Sequence, residues 1–151
     1  MPGNAIEELK GKIGESRKLV EGLAVESGKV EEWARAIKDD NPAHRDEAAA
    51  REQGFDRIPA SLTFPRVSLF PRYRPDEYAD LDDHFLPRYF DIDFDPMYTV
   101  NGEVEFEIER PAMVGDVLSG TTTIADVYQR EGSRGGQMTF VVFETEYRDQ
   151  N

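Results

Sequence analysis

A carboxylate and an imidazole stand five residues apart in a short segment of the chain, as Asp39 and His44. They lie on either side of the bend Asn41-Pro42, between two stretches whose patterns are typical of helices, so both belong to a constrained loop. Two such groups within reach of one water molecule can take a proton from it and return another. The spacing therefore predicts a site that handles water. The alternative is structural, with Asp39 and Asp40 ending one helix and His44 capping the next.

Helix signals stand on both sides of this loop. Before it, Ser27 is a candidate N-cap, and apolar residues recur at the spacing of one helical stripe. These are Val30, Trp33, Ala34 and Ile37. After the loop, Asp46 is typical of the cap of a short helix, Glu47–Gln53, which Gly54 closes. Residues 5–13 favour a further short amphipathic helix near the start of the chain.

The segment Ile58–Tyr73 differs from these helices because it has almost no polar face. Its apolar residues are Leu62, Phe64, Val67, Leu69 and Phe70. Pro65 stands where a helix can start and Pro71 where it must stop. A helix that is apolar all round is buried on all sides. The segment therefore predicts a central buried helix wrapped by a sheet.

Alternation of apolar and polar residues predicts the strands of that sheet. Residues 17–25 favour a first strand, and in Glu103–Glu109 the alternation is strict, with a row of carboxylates on one face. Val117–Tyr128 and Met138–Tyr147 predict a hairpin joined by the loop Glu131–Gly136. The predicted class is thus α+β, in a single domain covering residues 1–151.

An aromatic and acidic stretch at about 72–98 forms an insertion in this domain. A stretch of this length without periodicity is often a functional cover, and the alternative is a surface loop with its aromatic rings packed into the core. It contains Asp82, Asp83 and His84. Adjacent residues rarely converge on one ion, so we predict no metal site there.

Composition excludes several classes of protein. The chain has 151 residues, no cysteine, 31 acidic and 18 basic residues, and a net charge of −13. The absence of cysteine excludes disulfides, thiolate metal sites and cysteine nucleophiles. The charge disfavours nucleic acid as a partner and is typical of an acidic, halophile-like hydrated surface. No apolar run approaches the length of a membrane span, and a cytoplasmic protein is the default expectation.

Three motifs in order give the chain its resemblance to a known family. They are Asp39-Asp40-Asn41-Pro42-Ala43-His44, the run from Ile58 to Pro65 (IPASLTFP), and the run from Arg110 to Asp116 (RPAMVGD). Together they cover roughly residues 20–150 and resemble the MaoC-like (R)-specific enoyl-CoA hydratase and 3-hydroxyacyl dehydratase family, in its N-terminal dehydratase-type branch. The resemblance implies a hotdog fold, an antiparallel sheet wrapped around a central helix.

The same resemblance implies an activity, the addition or removal of water across a 2-enoyl thioester of fatty acid metabolism. Asp39 is then the base, and His44 exchanges the proton at the α carbon. Backbone amides near Ser61 stabilise the enolate oxygen, with the dipole of the central helix behind them. The substrate-binding residues implied are Asn41, Ala60, Ser61, Leu62 and Phe64. No cofactor and no metal is implied.

Two positions depart from the family pattern, because the family usually has glycine where this chain has Lys38 and Ser61. Hotdog domains of this kind also run on into a final strand, whereas this sequence ends at Asn151. An uncovered strand edge invites pairing, so we expect a homodimer or a heterodimer with a second MaoC-like subunit. Other functions stay open, namely a non-catalytic subunit that binds the acyl chain or a thioesterase. The acyl-chain length and the carrier, CoA or carrier protein, stay open as well.

Overall fold

The computed structural model describes residues 5–80, 85–134 and 136–151. The α-helices are α1 (Ile6–Gly11), α2 (Ser27–Ala36), α3 (Glu47–Glu52) and α4 (Phe85–Tyr89). The strands are β1 (Ser16–Ala24), β2 (Val117–Glu131) and β3 (Gln137–Arg148). Short 3-10 helices cover Pro42–His44, Phe64–Leu69, Pro71–Tyr73, Asp76–Tyr78 and Pro96–Tyr98. The α+β class predicted from the sequence is confirmed.

The three strands form one antiparallel sheet in the order β1-β2-β3. The long pairing of β2 with β3 runs from Ser119 opposite Arg148 to Glu131 opposite Gln137. β1 pairs with the other edge of β2 and contains register shifts on either side of Val20. Bulges of this kind bend a strand and increase its local twist.

Two apolar clusters form the core. The first cluster joins β1, α2, β2 and the segment around Phe64. Its buried members are Val20, Leu23, Val25, Val30, Ala60, Phe64, Val67 and Leu118. The second cluster lies toward the other end of β2 and contains Leu9, Phe90, Ile92, Ile124 and Val127. The first cluster therefore fixes α2, which precedes Asp39, relative to the segment that follows Pro59.

The central helical segment is shorter than the sequence predicts. Within it, Phe64–Leu69 forms a 3-10 helix and not an α-helix. Phe64 and Val67 are buried, but Leu62 is 56% exposed and Phe70 is 48% exposed. The prediction of a helix buried on all sides is thus wrong in detail: the segment buries one side and leaves apolar side chains uncovered on another.

The strand predicted at Glu103–Glu109 is also wrong for this chain. The segment has no regular secondary structure, and its apolar residues Val104, Phe106 and Ile108 are exposed. Within the described ranges, none of its backbone groups forms a hydrogen bond with another backbone group. Alternation marks a segment that suits a sheet, but a strand forms only where a neighbour accepts its backbone hydrogen bonds.

The aromatic insertion packs part of itself into the core. Phe85 and Phe90 are buried, and the rings of Tyr78, Phe85 and Tyr89 lie against one another with centroids 5.1–5.7 Å apart. Asp82, Asp83 and His84 lie outside the described residues. In the described part of the chain, no helix is both long and apolar enough to cross a membrane.

Backbone hydrogen bonds connect the segment that begins at Ile58 to the turn that precedes β2. Pro59 forms an isolated antiparallel bridge with Met113, supported by the bond from the Ala60 N–H to the Ala112 carbonyl at 2.7 Å. The turn before β2 is tied to the residue that follows β1, because the Gly115 N–H donates to the Val25 carbonyl at 2.9 Å. The segment after Pro59 is therefore anchored to the turn that starts β2.

Candidate active site

The C-terminal end of α2 sets the position of Asp39. Ile37 is the C-cap, and Lys38 follows in the left-handed region with φ 58°. The Asp39 N–H donates back to the Ala34 carbonyl at 2.8 Å, and the Lys38 N–H donates to the Arg35 carbonyl at 3.2 Å. These two bonds form a Schellman motif, which usually has glycine at the left-handed position. Lys38 adopts the left-handed conformation that glycine usually has at this position. The presence of lysine in place of glycine therefore leaves the direction of the chain at Asp39 unchanged.

His44 is presented by the 3-10 helix Pro42–His44, which begins at Asn41. The Asn41 side chain accepts a hydrogen bond from the Ala43 N–H at 3.1 Å, and Pro42 occupies the first helical position. The Asn41 amide also pairs with the Gln53 amide through reciprocal bonds of 3.0 and 2.8 Å. These contacts tie the loop to the end of α3 and turn the imidazole inward, where His44 is 8% exposed.

Asp39 and His44 are in direct contact. Nε2 of His44 lies 2.8 Å from Oδ2 of Asp39, and Nδ1 lies 2.7 Å from the Pro59 carbonyl oxygen. Because a carbonyl oxygen only accepts, Nδ1 donates to Pro59 and carries a hydrogen. The other contact then holds one proton between Nε2 and Oδ2. At this distance no water fits between the two groups, so a water bound to both must lie beside the pair.

Two neutral donors complete the surroundings of Asp39. The Ser61 hydroxyl donates to Oδ2 at 2.8 Å, and the Asn41 N–H donates to Oδ1 at 3.3 Å. Burial by itself raises the pKa of Asp39, but the hydrogen bonds from Ser61 and Asn41, together with His44, lower that pKa below its ordinary value. The side chain keeps 32% of its surface exposed. Asp39 is thus an ionised carboxylate that solvent can reach.

The Ser61 backbone adds a further group to the site. Ser61 is 4% exposed, and its N–H has no hydrogen-bond partner among the residues that the structure describes. A buried N–H without a partner is uncommon in proteins and is costly unless something accepts from it. The 3-10 helix begins three residues later, at Phe64, so the expected helix dipole behind Ser61 is missing.

The other residues predicted for substrate binding fall into two groups. Ala60 and Phe64 are 1% and 0% exposed and belong to the core, so they support the site from beneath. Leu62 points away from the core and is 56% exposed, directly after Ser61. Asn41 uses its side chain for capping and for Gln53. The structure therefore brings Asp39, His44 and Ser61 together and gives the rest supporting or surface positions.

A second aspartate lies near the start of β2, in the third sequence motif. Asp116 is 1% exposed and binds Arg57 at 3.0 Å and Arg110 at 2.9 Å. It also accepts the Met113 N–H at 2.9 Å. Burial acts to raise the pKa of Asp116, but the Met113 N–H and the two guanidinium groups lower it below its ordinary value. This cluster joins the turn at Pro111–Gly115 to the loop before Ile58.

Sequence reasoning missed two contacts of the site. The Pro59 carbonyl, which orients His44, cannot be identified from residue types because any residue has a carbonyl group. The bond from the Ser61 hydroxyl to Asp39 had a signal, namely a polar side chain inside an otherwise apolar motif. A polar side chain at such a position is usually satisfied by a nearby partner.

Comparison with known proteins gives consistent results. A family model described as "FAS1-like, dehydratase domain region" matches residues 13–151. A UPF0336 protein of Thermobifida fusca is 33% identical over 121 residues, covering 80% of this chain and 73% of that protein. A UPF0336 protein of Mycobacterium leprae is 38% identical over 102 residues. This chain spans about half, 55%, of the length of that mycobacterial relative.

Solved structures resemble the chain over most of its length. The C-terminally truncated 3R-hydroxyacyl-ACP dehydratase complex HadBC of Mycobacterium tuberculosis matches 92% of this chain and 87% of its own, with 25% identity and a TM-score of 0.65. A MaoC-like dehydratase of Rhodospirillum rubrum matches with 20% identity and a TM-score of 0.60. The ChsH1-ChsH2 complex of M. tuberculosis matches with 18% identity and a TM-score of 0.64. The last two support the fold alone.

Proposed function

The chain belongs to the MaoC-like hotdog dehydratase family, and from that premise we propose that it adds water to, or removes water from, the double bond of a 2-enoyl thioester. The activity is that of an (R)-specific enoyl-CoA hydratase, or of a 3-hydroxyacyl-CoA dehydratase in the reverse direction. The observation that carries the proposal is the direct contact of His44 with a partly exposed Asp39.

The pair supplies a base and an acid for the two halves of the reaction. Asp39 takes a proton from water while the water oxygen attacks C3 of the enoyl group. The electrons of the double bond move to C2 and the thioester oxygen, and His44 donates its Nε2 proton to C2. Asp39 then holds the proton that His44 lacks. Because Nε2 lies 2.8 Å from the same carboxylate, that proton returns to Nε2 through a water molecule, and dehydration runs the same steps in reverse.

The negative charge that develops on the thioester oxygen needs a donor. The Ser61 N–H is suited to this role because Ser61 contacts Asp39 through its hydroxyl and its N–H has no partner in the described part of the chain. A fixed donor aimed at a developing oxyanion contributes strongly to rate because it needs no rearrangement during the reaction. Leu62 follows it with an exposed apolar side chain, which suits the acyl chain of the substrate.

We assign residues 1–151 to one hotdog domain with an insertion at about 72–98, and we propose that it works as a dimer. The partner is a second copy or a second MaoC-like subunit. The similar HadBC dehydratase is a two-component complex, which supports a partner of this kind. The exposed apolar residues Val104 and Phe106 also favour burial against another surface.

A second candidate function is a non-catalytic subunit that binds the acyl chain for an active partner. Ser61 favours it, because its hydroxyl occupies one of the positions around Asp39 that a water molecule would otherwise use. In that case Asp39 and His44 only hold the loop in place. The two candidates make opposite predictions for the conservative variant of Asp39.

The test is an absorbance assay of enoyl-thioester hydration, run with crotonyl-CoA and with the matching carrier-protein thioester. We expect Asp39→Asn and His44→Gln to lower kcat/KM by about 10²–10⁴-fold, the range for loss of a general acid or base. Asp40→Asn is the matched control, because Asp40 is exposed and next in the chain. Full activity of an assembled complex carrying Asp39→Asn would establish the non-catalytic alternative.

A further inference from the structure

The Ser61 hydroxyl makes a contact that the proposed reaction does not use. Ser61 Oγ donates to Oδ2 of Asp39 at 2.8 Å, the same oxygen that contacts Nε2 of His44. Oδ1 accepts only the Asn41 N–H, at the longer distance of 3.3 Å, among the described residues. The two oxygens of the carboxylate are therefore unequal. Oδ2 is occupied twice by short bonds, and Oδ1 keeps room for another donor.

We propose that Ser61 is a positioning residue that locks Oδ2 of Asp39 and thereby makes Oδ1 the oxygen that takes the proton from water. The proposal rests on the hydratase function above and deepens it. Without Ser61, the carboxylate would keep one short contact, to His44, and the longer bond from the Asn41 N–H, and its terminal bond has only a broad two-fold preference. The second short bond, from a serine that is 4% exposed, removes this freedom.

The position of Ser61 makes this bond durable. The N–H of the preceding residue, Ala60, donates to the Ala112 carbonyl at 2.7 Å. The Ser61 carbonyl accepts a hydrogen bond from the Phe64 N–H at 2.8 Å. The backbone on both sides of Ser61 is therefore anchored. A hydroxyl on such a backbone can orient its partner, because the backbone that carries it cannot shift without breaking these hydrogen bonds.

Loss of the hydroxyl has two separable consequences. The first is a loss of turnover, because Oδ1 is no longer held in one orientation toward the water. The second is a rise in the pKa of Asp39, because the Ser61 bond is the largest of the contacts that lower it. The titratable group in contact with Asp39 is His44, and Lys38 and Asp40 adjoin it in sequence. All three are kept when Ser61 alone is changed.

The experiment compares Ser61→Ala with Ser68→Ala in the protein or its assembled complex. Ser68 is the matched control, because it is also buried on the same segment but bonds to the Tyr147 hydroxyl at 2.7 Å. We expect Ser61→Ala to lower kcat on the order of tenfold with little change in KM, and to move the acidic limb of the pH–rate profile to higher pH. Ser61→Thr, which keeps the hydroxyl, restores both. Ser61→Gly is a second variant without the hydroxyl.

A second measurement needs no substrate. The carboxyl carbon of Asp39, assigned in a ¹³C spectrum by its loss in Asp39→Asn, titrates at a higher pH in Ser61→Ala than in the unchanged protein. An unchanged Asp39 titration, or a pH–rate profile equal to that of Ser68→Ala, overturns the positioning role. If activity survives Asp39→Asn, the proposed function fails instead, and the carbon titration still decides whether Ser61 holds the carboxylate.

Discussion

The two aspartates at positions 39 and 116 are alike in local structure but differ in surroundings. Each follows a residue with positive φ, 58° at Lys38 and 97° at Gly115, and each accepts several short hydrogen bonds. Asp116 is 1% exposed, whereas the Asp39 side chain is 32% exposed. One carboxylate is enclosed by the fold, and the other is held at its surface.

The partners of the two carboxylates explain what each does. Asp116 is bound by the guanidinium groups of Arg57 and Arg110, which hold the carboxylate but do not exchange protons with it. Asp39 is bound by His44, which can give up a proton, and by neutral donors. Both aspartates have a lowered pKa, so the lowered pKa alone does not identify the reactive group. Exposure and a partner that can exchange a proton distinguish Asp39, the carboxylate that we propose to be catalytic.

The comparison predicts that loss of the Asp116 carboxylate mainly lowers stability, whereas loss of the Asp39 carboxylate changes stability little. We expect Asp116→Asn to lower the free energy of unfolding by about 2–3 kcal/mol, because Arg57 and Arg110 lose their shared anion. The arginines are 47% and 44% exposed and regain water, which keeps the cost below that of a fully buried pair. Asp39→Asn is expected to change stability by less than about 1 kcal/mol. Urea unfolding of both variants measures this, and equal losses would show that Asp39 is structural as well.

The pH dependence of stability sharpens the same difference. The folded pKa of Asp116 lies below its unfolded value of about 4, so its contribution is fully present above that value and is lost as pH falls through the folded pKa. The stability gap between the unchanged protein and Asp116→Asn is therefore expected to be constant near neutral pH and to shrink below about pH 4. Urea midpoints from pH 7 to pH 3 test it. A gap that persists at the acid end would mean that shape, not charge, causes the loss.

Much of the site could be predicted from the sequence because its parts are local. Asp39 and His44 lie five residues apart around a proline bend, and the end of α2 and the cap of α3 both have recognisable residues. The contacts from Pro59 and Ser61 cross 15 and 22 residues of chain. No local pattern encodes such pairings, so they became visible only with the fold.

The segment Glu103–Glu109 shows where a local pattern is insufficient. Its alternation is as regular as that of β2, but β2 has a neighbour on each side and this segment has no backbone partner in the described ranges. The segment around Phe64 is a second case, since Pro65 and Pro71 predict the two ends of one α-helix, whereas each lies in the first turn of a separate 3-10 helix. Pairing and helix type depend on the surrounding chain, which residue spacing does not specify.

Substitutions at the residues that precede the two aspartates, Lys38 and Gly115, test the comparison with the smallest expected effects. At Lys38 a side chain occupies a left-handed conformation that glycine adopts without steric cost, so Lys38→Gly is expected to stabilise the protein by about 0.5–1 kcal/mol. The gain is limited because glycine also adds freedom to the unfolded chain. At Gly115 the reverse substitution, which replaces glycine by a residue with a Cβ, is expected to have the opposite effect on stability. A Cβ there strains the backbone and meets Nη1 of Arg57 at 3.4 Å, so Gly115→Ala is expected to destabilise by about 1–2 kcal/mol.

Enzymatic activity separates the two changes further. Lys38→Gly keeps the bonds from Asp39 to Ala34 and from residue 38 to Arg35, so Asp39 keeps its position and kcat is expected to stay within about twofold. Thermal unfolding and the hydration assay on the same preparations measure both effects. A large loss of kcat in Lys38→Gly would mean that the Lys38 side chain itself takes part at the site. Asp39 would then resemble Asp116 more closely, as a carboxylate whose role depends on a neighbouring cation.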